Sequence, residues 1–172
     1  DTLPQRLIIV GGGYIGLEFA AMYANYGSMV TVLEYGADFL PREDRDMANV
    51  IQTRLEALGI RLVFNAQVKE ITDENDQTTV GYLDRSSGDH VTLPADAVLI
   101  ATGRKASTAE LDLEAAGVKM NERGEIIVNE FLQTSVPHIW ALGDVKGGLQ
   151  FTYISLDDSR IIKDQLWGDG KR

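Results

Sequence analysis

The sequence predicts an α/β fold: a mainly parallel sheet built from strand–helix–strand units, with an antiparallel β-meander inserted before its last strand. Three observations lead there. The short apolar runs at residues 6–10 and 97–101 lack the polar alternation of half-buried strands, which suits a sheet covered on both faces. Helical periodicity starts directly after the first run and is followed by another β-branched run. Between residues 67 and 93 the pattern changes to short β segments separated by turn-rich clusters.

Taken in order, residues 6–10 (RLIIV) form the first strand. Residues 14–26 place Ile15, Phe19, Met22 and Tyr26 at helical spacing, and Gly27 follows as a C-terminal stop. Residues 28–34 give the second strand, which completes a βαβ unit with a right-handed crossover. Pro41 closes a loop before a second helix at 44–58, whose first-turn acids complement the positive helix end. Residues 60–64 form a third strand. The meander follows, with turns at DEND (73–76) and SSGD (86–89), and residues 97–101 return to the main sheet. Beyond Gly103 the sequence predicts a loop, a hairpin around residues 121–124, a strand at 139–142 and a helix at about 153–167.

Composition narrows the function classes. A chain of 172 residues with 44% hydrophobic side chains can bury one good core or two small ones. Its apolar runs break well short of the roughly 20 residues a bilayer span needs, and no charged-then-apolar leader opens it. A cytoplasmic location without membrane attachment is expected. The formal charge of −10 argues against nucleic-acid binding, because phosphate backbones attract clustered Lys and Arg. Cysteine is absent, which removes dithiol chemistry and thiolate metal ligands from these residues. His90 and His138 have no second histidine beside them, so no metal site is expected. Asp157 and Asp158 read as solvated or capping residues of the last helix, and Trp140 and Trp167 as packing residues.

The residues with the clearest chemical meaning are Gly11, Gly13 and Gly16. They form a G-x-G-x-x-G pattern that follows a buried strand and opens a helix. Gly11 would permit the tight turn, Gly13 a close backbone approach to a pyrophosphate, and Gly16 close helix–strand packing, with the helix N-terminus facing the phosphates. Alone, the pattern is compatible with a simple glycine-rich turn. Glu34 adds the acid expected about 20 residues further on, at the end of the second strand, where it accepts hydrogen bonds from the adenosine ribose. A 2′-phosphate placed about 4 Å from that carboxylate would cost up to roughly 4 kcal/mol, so NAD(H) is expected over NADP(H). The fold is then Rossmann-like.

FAD uses similar loops, and further motifs bear on the choice. GGGYIGLEF at 11–19, ATGR at 101–104 and IWALGD at 139–144 occur in the order found in pyridine nucleotide-disulphide oxidoreductases. The chain resembles the second half of that fold along essentially its whole length. In that family a flavin loop comes first, followed by the nicotinamide loop, an ATG return strand and a GD motif that contacts flavin. Here GD follows ATG directly, so the resemblance implies that residues 11–16 are the nicotinamide loop. FLPREDRD at 39–46 and GGLQFTYISLDD at 147–158 are similar to the branch associated with resistance to reactive chlorine species and reduction of hypothiocyanous acid. Mercuric reductases and dihydrolipoamide dehydrogenases are the wider relatives.

The resemblance implies roles residue by residue. Tyr14 matches the aromatic residue that covers the flavin until nicotinamide displaces it, and Ile15 follows it within the NAD loop. Glu18 matches an acid that pairs with a lysine beside the flavin. Val68 would lie near the adenine and Gly103 near the nicotinamide. Arg104, Gly143, Asp144 and Thr152 match the returning half of an FAD site, with Asp144 on the ribityl hydroxyls. Lys105, Ala106 and Ser107 replace the Pro-Asn common after that arginine, a departure that bears on Arg104's flavin contact.

The expectation is therefore an NAD(H)-binding domain at residues 1–103 and the returning, incomplete segment of a split FAD-binding domain at 104–172. The chain would be a piece of an FAD-dependent oxidoreductase, inactive by itself. Its partners would be an N-terminal FAD and cysteine segment and a C-terminal dimerisation domain of the same parent, itself a homodimer. A free-standing nucleotide-binding or redox-sensing module is the alternative, and a loop at 11–16 that binds FAD itself is a third possibility.

Overall fold

A computed structural model describes residues 2–74 and 77–170. The chain divides into two compact units, Asp1–Gly103 and Arg104–Arg172. The first contains β1 (Arg6–Val10), α1 (Tyr14–Asn25), β2 (Met29–Leu33), α2 (Arg45–Ala57), β3 (Arg61–Val63), β4 (Ala66–Glu74), β5 (Gln77–Asp84), β6 (His90–Ala95) and β7 (Ala97–Ile100). Residues 75 and 76 of the expected DEND turn lie outside the described residues.

Four parallel strands run in the order β3-β2-β1-β7, and the three strands β4-β5-β6 form a separate antiparallel sheet. β1 is central and pairs Ile9 with Val32 on one side and with Leu99 on the other. Its alternate residues explain why its sequence lacks polar positions. Leu7 and Ile9 pack with Leu17, Ala20 and Leu55 of the helices, whereas Ile8 and Val10 pack with Val80, Tyr82 and Ala95 of the meander. Both faces are thus covered, by helices on one side and by the meander on the other.

The apolar spacing in α1 marks a helix but not its buried face. Gly16, Leu17 and Ala20 turn inward, whereas Ile15, Phe19, Met22 and Tyr26 are exposed, Tyr26 to 63%. Close approach of α1 to the sheet favours its smallest side chains, so the bulkier stripe turns outward.

The β1 edge is tied to the β6–β7 turn by Arg6 and Asp96. The Arg6 N–H donates to Asp96 Oδ2 at 2.7 Å, its guanidinium reaches Oδ1 at 2.5 Å, and the Asp96 N–H returns a bond to the Arg6 carbonyl at 2.9 Å. The Arg6 hydrogen bonds hold the Asp96 carboxyl below its ordinary range, and the same contact raises Arg6.

The second unit contains a 3-10 turn at Gly143–Lys146 and α3 at Thr152–Trp167. Val118, Ile126 and Ala141 form its small core. The expected hairpin is present as a Met120–Ile126 bridge closed by the Gly124 N–H to Asn121 carbonyl bond. The expected strand at 139–142 is not formed among the described residues. A single antiparallel bridge forms there, Trp140 with Gln133, flanked by bonds from the Thr134 N–H to the Ile139 carbonyl at 2.9 Å and from the Ala141 N–H to the Leu132 carbonyl at 3.0 Å. Two other expectations change. Trp167 is 78% exposed rather than packed, and Asp158 is buried at 5% rather than solvated. Asp158 Oδ2 accepts the Gly143 N–H at 2.8 Å and lies 3.3 Å from the Lys146 ammonium.

Two outcomes follow. Asp96 has a depressed pKa in the fold, so its contribution is present above the ordinary Asp value of about 3.9 and fades as pH falls through the lower folded value. Thermal unfolding by circular dichroism should show stability falling below about pH 4, with a shallower fall in Asp96→Asn; part of the slope should persist, because Asp84 is also lowered by its Ser86 hydrogen bonds. In the second unit, Asp158→Ala leaves the Gly143 N–H and the Lys146 ammonium without this partner. It should cost about 2–4 kcal/mol, and Asp158→Asn less. Urea unfolding read by tryptophan fluorescence checks this, since both tryptophans, Trp140 and Trp167, lie in this unit.

Candidate functional site

The first unit carries a groove of ≈ 390 Å³ over the glycine loop, within the range of small-molecule sites. Gly11, Gly12, Gly13 and Tyr14 line one wall, with Glu34, Asp38 and residues 40–43 opposite and Ala101, Thr102 and Gly103 at one end.

The loop is built by two close backbone approaches. Gly11 has φ +108°, and a Cβ there would lie 2.4 Å from the Ala101 carbonyl oxygen. A Cβ on Gly16 would lie 2.1 Å from the Gly11 carbonyl oxygen and 3.3 Å from Ile9 Cγ2. Both positions therefore need glycine for reasons internal to the fold. Gly13 differs, because a Cβ there would meet nothing within 4 Å. It is exposed at the head of α1, which no side chain caps. The first N–H groups of α1 are thus directed at the groove with a partial positive charge, an arrangement suited to an anion.

Glu34 follows β2 and bridges the two loops. Its Oε2 accepts the Gly12 N–H at 2.7 Å, and Oε1 accepts the Gly36 N–H at 2.7 Å. A carboxylate has about four acceptor sites, so both oxygens keep capacity for ligand hydroxyls. Next to it, the Arg85 guanidinium lies 4.2 Å from the Tyr35 ring centroid and also donates to the Tyr35 carbonyl.

The opposite wall is rigid for identifiable reasons. Phe39 is buried edge-on against Phe64, with ring centroids 6.3 Å apart. Leu40 takes φ +43°, an arrangement that costs about 1–3 kcal/mol for a non-glycine residue and needs support from its surroundings. Arg45 supplies that support by donating to the carbonyls of Phe39, Leu40 and Glu43. Glu43 in turn accepts a hydrogen bond from the Tyr14 hydroxyl, which raises the phenol pKa, with burial a smaller cause and Arg42 opposing it.

Of the residues singled out from sequence, the groove brings together Gly11, Gly13, Tyr14, Glu34 and Gly103. Gly16 lies behind it, and Ile15 and Glu18 are exposed on α1. Val68 sits in β4 opposite Tyr82, beside a bulge, and does not line the groove. Within the second unit, Arg104 donates to Asp144 Oδ2 at 2.6 Å and to the Gln150 carbonyl at 2.7 Å. Gly143 has φ +72°, and exposed Thr152 opens α3. Sequence reasoning missed Asp38, Arg42 and Glu43 as groove residues and Arg45 as the clamp of their loop. The segment's place after Glu34 and the FLPREDRD motif at 39–46 hinted at them without assigning a groove role. Among the described residues no cluster of three or more His, Asp or Glu could hold a metal, and no helix is long and apolar enough to cross a membrane.

Comparison with known proteins places this geometry. The family model described as pyridine nucleotide-disulphide oxidoreductase matches residues 1–159. The chain is 53% identical over 170 residues to the probable pyridine nucleotide-disulfide oxidoreductase RclA of Escherichia coli, covering 99% of this chain and 37% of that protein. It is 37% identical over 166 residues to a dihydrolipoyl dehydrogenase of Geobacillus stearothermophilus, covering 96% of this chain and 35% of the relative. A solved structure of the HOCl-induced flavoprotein disulfide reductase RclA from Escherichia coli, in its copper(II) complex, superposes with a TM-score of 0.90 at 52% identity. That match covers 100% of this chain and 38% of the other. The chain thus spans somewhat over a third of the length of these relatives, which are oxidoreductases with FAD and a pyridine nucleotide as family cofactors. The order of loop, return strand and GD motif, the mixed parallel and antiparallel sheets and these matches agree: the chain belongs to the pyridine nucleotide-disulphide oxidoreductase family.

Proposed function

We propose that residues 1–103 bind NADH in the groove over the glycine loop, and that this docks the reductant for a flavin held elsewhere in a longer enzyme. The observation that carries this reading is Glu34. It is placed by its bonds to Gly12 and Gly36 with acceptor capacity remaining, in a groove that also offers the uncapped head of α1. The pyrophosphate would lie against Gly13, where no atom of the chain competes for the space, and the adenosine ribose hydroxyls would donate to Glu34. By family resemblance the adenine lies toward Val68 and the nicotinamide toward Tyr14, Ile15 and Gly103.

Residues 104–172 would supply the returning part of an FAD site through Arg104, Gly143, Asp144 and Thr152. Arg104 and Asp144 hold each other in this chain, so a carboxylate serving ribityl hydroxyls would share or release the guanidinium. Glu18, exposed on α1, is available to a lysine from outside the chain. When bound, the two cofactors supply hydride transfer from nicotinamide to flavin; the chain's own part is to bind, orient and select. Cysteine is absent, so any dithiol step would fall to residues beyond this sequence. In this reading the parent carries an FAD and cysteine segment and a dimerisation domain, and works as a cytoplasmic homodimer.

Isothermal titration tests the selectivity. NADH should bind at least about tenfold more tightly than NADPH, since the carboxylate opposes a 2′-phosphate. Glu34→Gln should narrow that ratio, and equal affinities in the wild-type chain would refute the role given to Glu34. A separate check uses Gly13→Val. Its side chain meets open space, so the melting temperature should change little, while NADH binding is lost because the side chain fills the phosphate position. Undiminished NADH binding by this variant would place the pyrophosphate somewhere else.

A further inference from the structure

Among the described residues Asp158 is the only charged side chain that is buried. It lies in the second turn of α3, and a single oxygen, Oδ2, meets both ends of the 3-10 turn at Gly143–Lys146: the Gly143 N–H at 2.8 Å and the Lys146 ammonium at 3.3 Å. Asp144 stands between these two anchors, with its side chain half-exposed and accepting the Arg104 hydrogen bond. From the side of the small core the turn is tied by the Ile126 N–H, which donates to the Val145 carbonyl at 3.0 Å. The segment needs such anchors. Gly143 takes φ +72°, and Gly147 and Gly148 directly after the turn take +73° and +79°. Glycine has the widest backbone freedom of any residue, so a segment bounded by three of them has many alternatives to its folded shape. A buried carboxylate that holds its first and last residues at once removes those alternatives.

We propose that Asp158 is a positioning residue for flavin: it holds the Gly143–Lys146 turn against α3 and so sets where the Asp144 carboxylate stands relative to the head of that helix. The proposal rests on the reading of residues 104–172 as half of an FAD site. The two elements that this reading assigns to flavin, the turn with Asp144 and the helix opened by Thr152, are the two that Asp158 joins. No side-chain hydrogen bond caps α3, which leaves N–H groups with a partial positive charge at its head. A ligand that spans a carboxylate and a helix end gains when their spacing is fixed before it arrives, because less ordering remains to be done. The join is close, since a Cβ on Gly143 would lie 3.2 Å from Ser155 Oγ. Stability alone does not call for an acid here. A buried ion pair replaced by well-packed apolar residues is often no less stable, but an apolar contact cannot fix the direction of the Gly143 N–H.

Two variants separate positioning from stability. Asp158→Asn keeps an oxygen that can accept the Gly143 N–H, whereas Asp158→Leu combined with Lys146→Met puts an apolar contact in place of the ion pair and removes that acceptor. Hydrogen exchange on the chain itself reads the geometry. With the Ile126 N–H as internal reference, the Gly143 N–H should exchange at least about tenfold faster in the Leu/Met variant than in wild type, and by less in Asp158→Asn. Equal exchange in all three would overturn the proposal. In the parent enzyme of the proposed reading, FAD titration of the apoprotein, followed by flavin fluorescence, reads the positioning. The Leu/Met variant should raise the FAD dissociation constant about tenfold, and Asp158→Asn should stay within about threefold of wild type. With Ala already at position 144, the Leu/Met change should weaken FAD no more than about twofold, because Asp158 acts through Asp144. An equal loss with Asp or Ala at 144 would make Asp158 a structural residue only, and the proposal would fall. Asp144→Ala that binds FAD as tightly as wild type would overturn the flavin reading of this unit together with the proposal. Asp144→Ala that weakens FAD, beside Asp158 variants that bind it as wild type does, would overturn the positioning role alone.

Discussion

The close approach of α1 to the end of β1 is the constraint from which the rest of the first unit follows. Only hydrogen fits at position 16, where a Cβ would lie 2.1 Å from the Gly11 carbonyl oxygen. The helix must then start within the tight turn at Gly11, whose left-handed φ directs the chain over the Ala101 carbonyl of the neighbouring strand end. Because the turn is so short, the Gly12 N–H points sideways toward β2 and is satisfied by Glu34 rather than within the helix. The same shortness leaves the head of α1 uncapped and open to the groove. A larger residue at position 16 would separate the helix from the sheet and lose the turn, the bridge and the open helix end together.

Glu34 serves two purposes that are usually discussed apart. Its carboxylate closes a structural gap by accepting N–H bonds from Gly12 and Gly36, and it presents acceptor capacity where ribose hydroxyls are expected. These uses support each other. Charge-assisted bonds to two backbone N–H groups hold the carboxylate in place before any ligand arrives, so less ordering remains to be done on binding. They also explain why the acid is tolerated half-buried, since its negative charge is met by two donors.

Much of this was legible in the sequence because it depends on backbone geometry and burial. The run RLIIV could be read as a central strand because both of its faces are covered, one by helices and one by the meander. Gly11, Gly16 and Glu34 were legible because each of these positions answers a local steric or hydrogen-bonding need. The outward face of α1 was not, since periodicity marks a helix without saying which stripe is buried. Small residues won the interface because the helix lies so close to the sheet. The burial of Asp158 was hidden for a related reason. A pair of adjacent aspartates looks solvated until the Gly143 turn and Lys146 close over one of them. Glu43 escaped notice because its partner, Tyr14, lies 29 residues away, and no short-range pattern links a loop acid to a helix-head tyrosine.

The electrostatics of the groove make the division of labour clear. The chain has a formal charge of −10, and acids outnumber bases among the groove's lining side chains, yet the geometry there suits a ligand carrying phosphates. Side-chain cations are not the main source of attraction. Backbone N–H groups at the head of α1 act at hydrogen-bond distance, where their partial charge is largest, and their effect falls away within about one helical turn. The scattered surface acids act over longer range and are screened beyond about 8–10 Å at ordinary ionic strength. In the proposed reading attraction would thereby be confined to the phosphate position, and two of the three acids lining the groove are occupied by hydrogen bonds from the chain: Glu34 by two N–H groups, Glu43 by a phenol. On the proposed reading, an acidic protein would hold an anionic cofactor in this way because the donors that matter belong to the backbone, and the position of the backbone is set by the two glycines at 11 and 16.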